Sequence, residues 1–494
     1  MITESHTIIV HLRDEIGIIK PELHGHFLEH LGSATYGGIW VGKNSLIPNI
    51  NGIRKQAVEY LQELGISVLR WPGGCFADDY HWRDGIGPPT ERPKRVNIWW
   101  GNCIEDNSFG THEFMELCRL LNAHPYLAGN VGSGTPQEFR DWMEYCNQGS
   151  GSTLSDQRST NGASEPFRVK YWGVGNESWA CGGHMTPEEY AASYVRFATY
   201  LHTFEGLEPY LIAVGPESNT HAWTTRFFTA LRERQFPLRP SGFAMHYYSW
   251  GKSTSTSYTI ETMREQLATF TSMEKAIQEQ RALIDRYAPD HGSDHRIDLL
   301  VDEWGTWNII DPKDEQSHGR LWQQNTMKDA LGAALGLNVF HRNASSLSMC
   351  NLAQIVNVLQ APLLTHERDC IRTPTYYALK MSRIHKGNMS VQVEHHPDDV
   401  TDFSVSVSRR QETVALTLVN TKHDVAMNVQ CVFPHGVLSD VVTEILHNQN
   451  FNACNTFEEP HVITPQKHSA DIDGAGCVVH LPPLSIVTLH ARIL

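Results

Sequence analysis

The chain of 494 residues has no surplus of positive charge: 40 Lys and Arg stand against 55 Asp and Glu, for a net charge of −15. Phosphate backbones are neutralised by clustered basic side chains, so a nucleic-acid partner is not expected. No window holds eighteen consecutive apolar residues, so no membrane span is expected either. The first residues, MITESHTIIVHLRDE, contain no cationic segment followed by an apolar one, which argues against a secretory leader and for a cytoplasmic protein. Ten cysteines are scattered without a repeated spacing, and in a large chain of that kind reduced thiols are the expectation. There is no Gly-x-Ser-x-Gly elbow for serine hydrolysis and no Gly-rich phosphate loop after a strand, so no nucleotide cofactor is expected. The histidines His24, His26, His30 and His184 do not complete a metal-ligand set with their neighbours, and no metal is expected.

What is present is a 40% hydrophobic, 19% charged composition typical of a folded protein, with aromatic side chains enough to wall a pocket. From about residue 20 to 385, short apolar runs alternate with helix-period segments. The candidate strands are 22–28, 67–71, 125–129, 169–174, 211–215, 242–247, 297–302 and 346–351, and the named helical segments are 53–64, 112–121, 136–146, 187–204 and 323–340. Thr135-Pro136 and Thr186-Pro187, each followed by an acid at the third helical position, mark two helix starts. Eight strands separated by helices predict an α/β fold, a (β/α)8 barrel over residues 18–385. Residues 149–165, rich in Ser, Gly and Thr, read as a flexible surface insertion. Beyond 386 the pattern changes to alternation (Phe403, Val405, Val407; Val414, Leu416, Leu418; Val487, Leu489, Ala491, Ile493), which predicts an all-β sandwich of jelly-roll type over 386–494. Residues 1–17 alternate too and are expected to add a strand to it.

Barrel active sites form where strands end at their C-terminal side. There the sequence places Glu29, Arg70, Asn130, Asn176 with Glu177, Glu217, His246 with Tyr247 and Tyr248, Asp302 with Glu303, and Asn351 with Gln354. So many polar groups are costly unless they face a cleft. Glu177 and Glu303 each close an apolar strand and open an aromatic-rich loop. Two carboxyl groups are what glycosidic cleavage needs: one protonates the leaving oxygen and the other acts at the anomeric carbon. Asn176 is then placed to bond a sugar hydroxyl, Trp304 to wall the nucleophile, and Trp99 or Trp100 to provide a platform for a sugar ring. Either Glu could instead cap a helix or pair with an Arg, and the two Trp could pack under the rim.

The runs HGHFLEHLG, RWPGG, DGIGP, EDNSFGTHEFM, YWGVGNE, VDEWGTW and NLAQIVNVLQAP, in that order, resemble the α-L-arabinofuranosidases of glycoside hydrolase family 51. The resemblance covers about residues 23–365. It implies that Glu177 is the general acid/base and Glu303 the nucleophile of a retaining, exo-acting enzyme that releases terminal arabinofuranosyl units from arabinan or arabinoxylan oligosaccharides. It implies sugar-binding roles for Glu29, Asn176 and Gln354, a tyrosine hydroxyl on the nucleophile (Tyr248, or its neighbour Tyr247), and Arg70 beneath that nucleophile. Cys75 stands where relatives often carry Asn, so its contact with the sugar is an open point. A homo-oligomer, trimer or hexamer, is implied as well. The rival readings are another glycosidase of the same clan, an endo-β-glucanase or β-xylosidase, and a carbohydrate-binding protein without catalysis.

Overall fold

The computed structural model describes residues 2–289, 296–397, 402–434, 436–473 and 476–493. Eight strands close into a barrel, and each of the eight apolar runs supplies one of them: Gly25–Phe27, Val68–Trp71, His124–Gly129, Tyr171–Val174, Tyr210–Glu217, Gly242–Thr254, Asp298–Ile309 and Leu347–Ala353. They are called here barrel strands one to eight. Neighbouring strands run parallel, as in the pairing of Tyr126 with Tyr171 and of Leu69 with Pro125. Every residue of strands two, four and eight is buried. Parallel strands covered on both faces lose the polar alternation of a half-exposed sheet, which is why these strands read as unbroken apolar runs.

Helix starts follow the capping chemistry. The Thr135 hydroxyl accepts the Glu138 N–H at 3.1 Å and opens helix Pro136–Asn147. At Thr186 the exchange is reciprocal: its hydroxyl accepts the Glu189 N–H, and the Glu189 carboxylate accepts the Thr186 N–H at 2.7 Å, opening helix Pro187–Ala198. That helix stops six residues short of the predicted end. The Thr199 hydroxyl bonds back to the Val195 carbonyl, and the chain then turns through Glu205 and Gly206, both with positive φ. Two helices without strong start signals, His221–Arg232 and Ile260–Tyr287, complete the alternation.

The segment read as a flexible insertion is ordered. Residues Thr153–Thr160 form a helix capped by Ser152, and the buried Arg158 donates to the carbonyls of Tyr145, Gln148, Gly149, Ala163 and Ser164. One guanidinium thus satisfies five carbonyls of a loop with little apolar surface, an organisation that apolar periodicity does not register.

Two compact units are distinguished: Gly25–Tyr247 with Glu279–Glu303, and Met1–His24, Tyr248–Gln278 and Trp304–Leu494. The second contains a ten-stranded sheet whose alternating residues Val405, Val407, Leu416, Leu418, Val429, Val479, Val487 and Leu489 meet in one apolar core. The N-terminal strand Ile2–Ile18 lies within this sheet, parallel to Val425–Val432 and antiparallel to Met389–His396, and adds Ile8 and Val10 to the core. Among the described residues no helix is long and apolar enough to cross a membrane.

Candidate active site

The first unit carries the acidic strand ends. The fourth strand finishes at Val174, and the chain turns through Gly175 (φ 91°) to Glu177, whose own φ is 38°. A glutamate in the left-handed region carries local strain, which surrounding contacts must hold in place. Here the Glu177 carbonyl accepts the N–H groups of Ala180 and Gly182, closing a tight loop around it. Its carboxylate faces inward: Oε1 lies 2.9 Å from Nδ1 of His246, on strand six. The same nitrogen is 3.6 Å from Oε2 of Glu303, on strand seven. Within this trio, one ligand-type atom from each residue lies within 4.8 Å of the others, which places oxygens of the two carboxylates no farther apart than that.

Arg70, on strand two, is fully buried and reaches residues of both acid-bearing segments. Its Nη1 donates to Glu303 Oε1 at 2.7 Å and its Nη2 to Asn176 Oδ1 at 2.5 Å. Its Nε is in ionic contact with Asp302 at 3.3 Å, without hydrogen-bond alignment, and the Phe27 ring covers the guanidinium at 4.7 Å. Asp302 in turn accepts the Tyr126 hydroxyl at 2.7 Å. One cation therefore serves two buried carboxylates and orients the amide of Asn176. Burial raises the pKa of Glu177 above the usual carboxylate range and the charge of Glu303 adds to it, against the opposing pull of His246 and Arg70. For His246 burial works downward, but Glu303 and Glu177 outweigh it and its pKa rises.

Glu29 stands just past strand one. Its Oε1 accepts the Phe76 N–H at 3.1 Å and the indole N–H of Trp100 at 2.8 Å. Burial, reinforced by Glu303, pushes its pKa up to about 7. The Pro72-Gly73-Gly74 turn lies directly on this carboxylate: a Cβ at Gly74 would sit 2.7 Å from Glu29 Oε2, and one at Gly73 2.5 Å from Cγ. Only glycine fits both positions. Asp78, buried four residues on, accepts the N–H groups of Val131 and Gly132 on one oxygen and of Asn176 on the other, at 2.7–2.9 Å. It fastens the loops after strands two, three and four together, and burial lifts its pKa to about 7.

The structure corrects two readings of the sequence. Cys75 and Cys181 form a disulfide, with their Cα atoms 5.4 Å apart, so the expectation of reduced thiols fails at this pair; the loops after strands two and four converge although their sequence spacing is irregular. Trp304 does not wall the nucleophile. Adjacent strand residues point to opposite sides, and Trp304 packs edge-on against Phe340 of helix Met327–Arg342. Of the tryptophan pair, Trp100 is the one that bonds Glu29, while the Trp99 indole N–H is buried without a hydrogen-bond partner.

Other residues singled out by the sequence have varied surroundings. Glu217 is exposed, and Asn130 closes its own loop by accepting the Ser133 and Gly134 N–H groups. The Tyr248 ring meets Trp307 edge-on at 5.0 Å, and Trp307 lies against Trp250 at 4.8 Å. Gln354 is buried and its N–H donates to the Val358 carbonyl. The sequence places His246 at a strand end without a role and gives no sign of Asp78 or Cys181 as site residues: nothing in their own sequence neighbourhoods shows that distant strands bring carboxylates, loop amides or a second sulfur to them. Only the strand-end position of His246 offered a signal.

The trio Glu177, His246 and Glu303 has the composition of a metal site, as does Cys75, Glu177 and Cys181. The chemistry of both argues otherwise. Glu303 already receives the Arg70 cation, His246 Nδ1 is engaged by Glu177, and the two sulfurs are bonded to each other. His30 is spent as well: its Nε2 accepts the Trp71 indole N–H, which leaves Nδ1–H for Glu105.

Comparison with known proteins matches two family models: the α-L-arabinofuranosidase 1 domain at residues 60–265 and the α-L-arabinofuranosidase C-terminal domain at residues 302–485. An intracellular exo-α-L-arabinofuranosidase of Bacteroides ovatus is 39% identical over 99% of this chain and 96% of its own length. The crystal structure of a family 51 arabinofuranosidase from Xanthomonas axonopodis pv. citri superposes over 100% of both chains with a TM-score of 0.92 at 34% identity. An α-L-arabinofuranosidase from Thermotoga maritima, solved as an arabinose complex, gives 0.87 at 26% identity over 99% of this chain and 100% of its own. With relatives matched at this identity along nearly its entire length, the chain belongs to the α-L-arabinofuranosidases of glycoside hydrolase family 51.

Proposed function

We propose that this chain is a retaining, exo-acting α-L-arabinofuranosidase that removes terminal arabinofuranosyl units by double displacement. The observation that carries this reading is the approach of the Glu177 and Glu303 oxygens to within 4.8 Å. Retaining glycosidases hold their carboxyl groups about 5–5.5 Å apart, whereas an inverting enzyme needs about 6.5–9.5 Å to admit water between them.

In the first step a Glu303 oxygen bonds to C1 of the sugar. The glycosidic C1–O bond breaks, and the departing oxygen takes the proton of Glu177. The Arg70 cation bonded to Glu303 favours the anion needed for attack, and burial beside that negative charge raises the proton affinity of Glu177. Once Glu303 is esterified its charge is gone, so the proton affinity of Glu177 falls and it can take a proton from water. That water bonds to C1 and the Glu303 ester breaks. Glu29 and the amide Nδ2 of Asn176, whose Oδ1 is committed to Arg70, bind sugar hydroxyls. The family resemblance gives Gln354 a sugar-binding role and Tyr248, or its neighbour Tyr247, a hydroxyl on Glu303, while Trp99 or Trp100 is the platform for a sugar ring.

The exo action and a cytoplasmic location are supported by the name of the Bacteroides ovatus relative, and fit arabinan or arabinoxylan oligosaccharides as substrates. A trimer or hexamer, drawn from the family resemblance, is tested by sedimentation. The activity is tested with p-nitrophenyl α-L-arabinofuranoside beside β-xylopyranoside and β-glucopyranoside controls. Turnover confined to the furanoside supports the reading. Preference for a pyranoside overturns it in favour of another clan member, and no turnover of any points to a binding protein.

A further inference from the structure

Resting on the assignment of Glu177 as the proton donor, we propose that the Cys75–Cys181 cystine is a positioning element of the active site that clamps the Glu177 loop to the glycine turn over Glu29, and that its reduction by a dithiol selectively impairs proton transfer.

Two groups bracket the Glu177 carboxylate. Oε1 is held by His246 at 2.9 Å, and Oε2 lies 3.6 Å from the sulfur of Cys181. In the oxidised form that sulfur carries no hydrogen, so it acts as a wall rather than a donor. The wall is fixed from both ends. Cys181 sits in the tight turn whose amides bond the Glu177 carbonyl, and its partner Cys75 immediately precedes Phe76, whose N–H holds Glu29. The bond therefore joins the proton-transfer loop to the sugar-binding loop beside the Glu177 carboxylate. Asp78 ties the same loops a few residues away, so opening the cystine loosens the site without releasing the loops. Both cysteines are half-buried rather than sealed in the core, and a small thiol can reach them. In a cytoplasmic protein such a bond meets a reducing environment.

Reduction balances simply. A dithiol thiolate attacks one cystine sulfur, the second thiol of the reagent closes its own disulfide, and Cys75 and Cys181 leave as two thiols with the two electrons and two protons. The new Cys181 thiol can donate to Glu177 Oε2, which favours the anion and opposes the proton-donor role. The charged and titratable groups around Glu177 are otherwise unchanged: His246 from strand six, Glu303 from strand seven and Arg70 from strand two.

The test compares purified full-length enzyme before and after dithiothreitol treatment, with thiols counted in denaturant. Of ten cysteines eight are free here, so the count should rise from eight to ten. We expect kcat/KM for a poor leaving group, such as an alkyl arabinofuranoside, to fall roughly 10-fold to 100-fold, as small misplacements of catalytic groups do. The rate of the first step with a dinitrophenyl arabinofuranoside should stay within about twofold, since that leaving group needs no proton. The alkaline limb of the pH profile should move to lower pH, and reoxidation should restore all three readouts. A Cys75→Ala/Cys181→Ala double variant should show the same leaving-group dependence without the thiol-induced shift of the limb. If it does not fold, the reversible wild-type comparison decides. Ten thiols before reduction, or equal rates for both substrates before and after, overturns the proposal. Glu177→Ala measured with the same substrates separates its failure from failure of the acid/base assignment.

Discussion

Nδ1 of His246 stands 2.9 Å from the Glu177 carboxylate and 3.6 Å from that of Glu303, so a single imidazole touches both acids of the pair. Neither acid titrates independently in such an arrangement, and the pH dependence of the reaction belongs to the trio. Replacing His246 by Gln keeps a polar group but removes the titrating member. We expect kcat/KM to fall by about 10-fold to 100-fold and the limbs of its pH profile to shift, because a neighbour that lowers the pKa of Glu177 is gone. A pH–rate profile that keeps its shape would remove His246 from the trio's titration.

Glu177→Ala separates the two chemical steps. Loss of a general acid costs about 10²–10⁴-fold where the leaving oxygen must be protonated. With a dinitrophenolate leaving group the first step should retain most of its rate, and azide should restore turnover by taking the place of activated water. The check is stopped-flow release of the phenol with and without azide. Unchanged kinetics for both substrate classes would take this role away from Glu177.

Arg70 links fold stability to the site. Its removal leaves Glu303 and Asp302 buried without their counter-ion, and breaking a buried pair in this way costs about 3–5 kcal/mol. Arg70→Met should therefore unfold at markedly lower denaturant concentration than the wild type, besides losing activity. An unchanged urea midpoint would show that water or rearrangement compensates the two acids.

The legibility of this molecule divides along a physical line. The barrel strands were readable because burial of both faces leaves apolar runs, and the ten-stranded sheet because a one-sided core leaves alternation. Glu177 follows the end of strand four as the sequence suggests, whereas strand seven continues past Glu303 to Ile309. What stayed hidden depends on contacts between distant segments. Cys75 meets Cys181, Asp78 gathers three loops, and Arg158 orders a segment of low hydrophobicity through carbonyls alone. Trp304 shows the converse: composition marked it as a pocket wall, but the two-residue period of the strand turns it to the opposite side.

Acid sensitivity should arise in part at a buried histidine that takes no part in the chemistry. His385 is buried, with Nδ1 at 2.8 Å from the Ser408 hydroxyl and Nε2 at 2.9 Å from the Thr417 hydroxyl, and burial lowers its pKa to about 3. The unfolded chain binds a proton at this position below about pH 6.5 while the folded one stays neutral, so stability falls as pH drops from there toward 3. The slope from this residue alone approaches about 1.4 kcal/mol per pH unit. His385→Asn should flatten the decline in urea-unfolding free energy between pH 6.5 and 4.5, whatever its effect at neutral pH. A parallel decline in both proteins would assign the acid sensitivity elsewhere.

The central claim is that Glu303 forms a covalent bond to C1 while Glu177 transfers the proton. Its most direct test is the configuration of the product formed when methanol replaces water as acceptor, since the methyl glycoside cannot mutarotate. Two inversions at C1 predict methyl α-L-arabinofuranoside as the initial product by proton NMR. The β-anomer as initial product would mean a single displacement and would contradict the account.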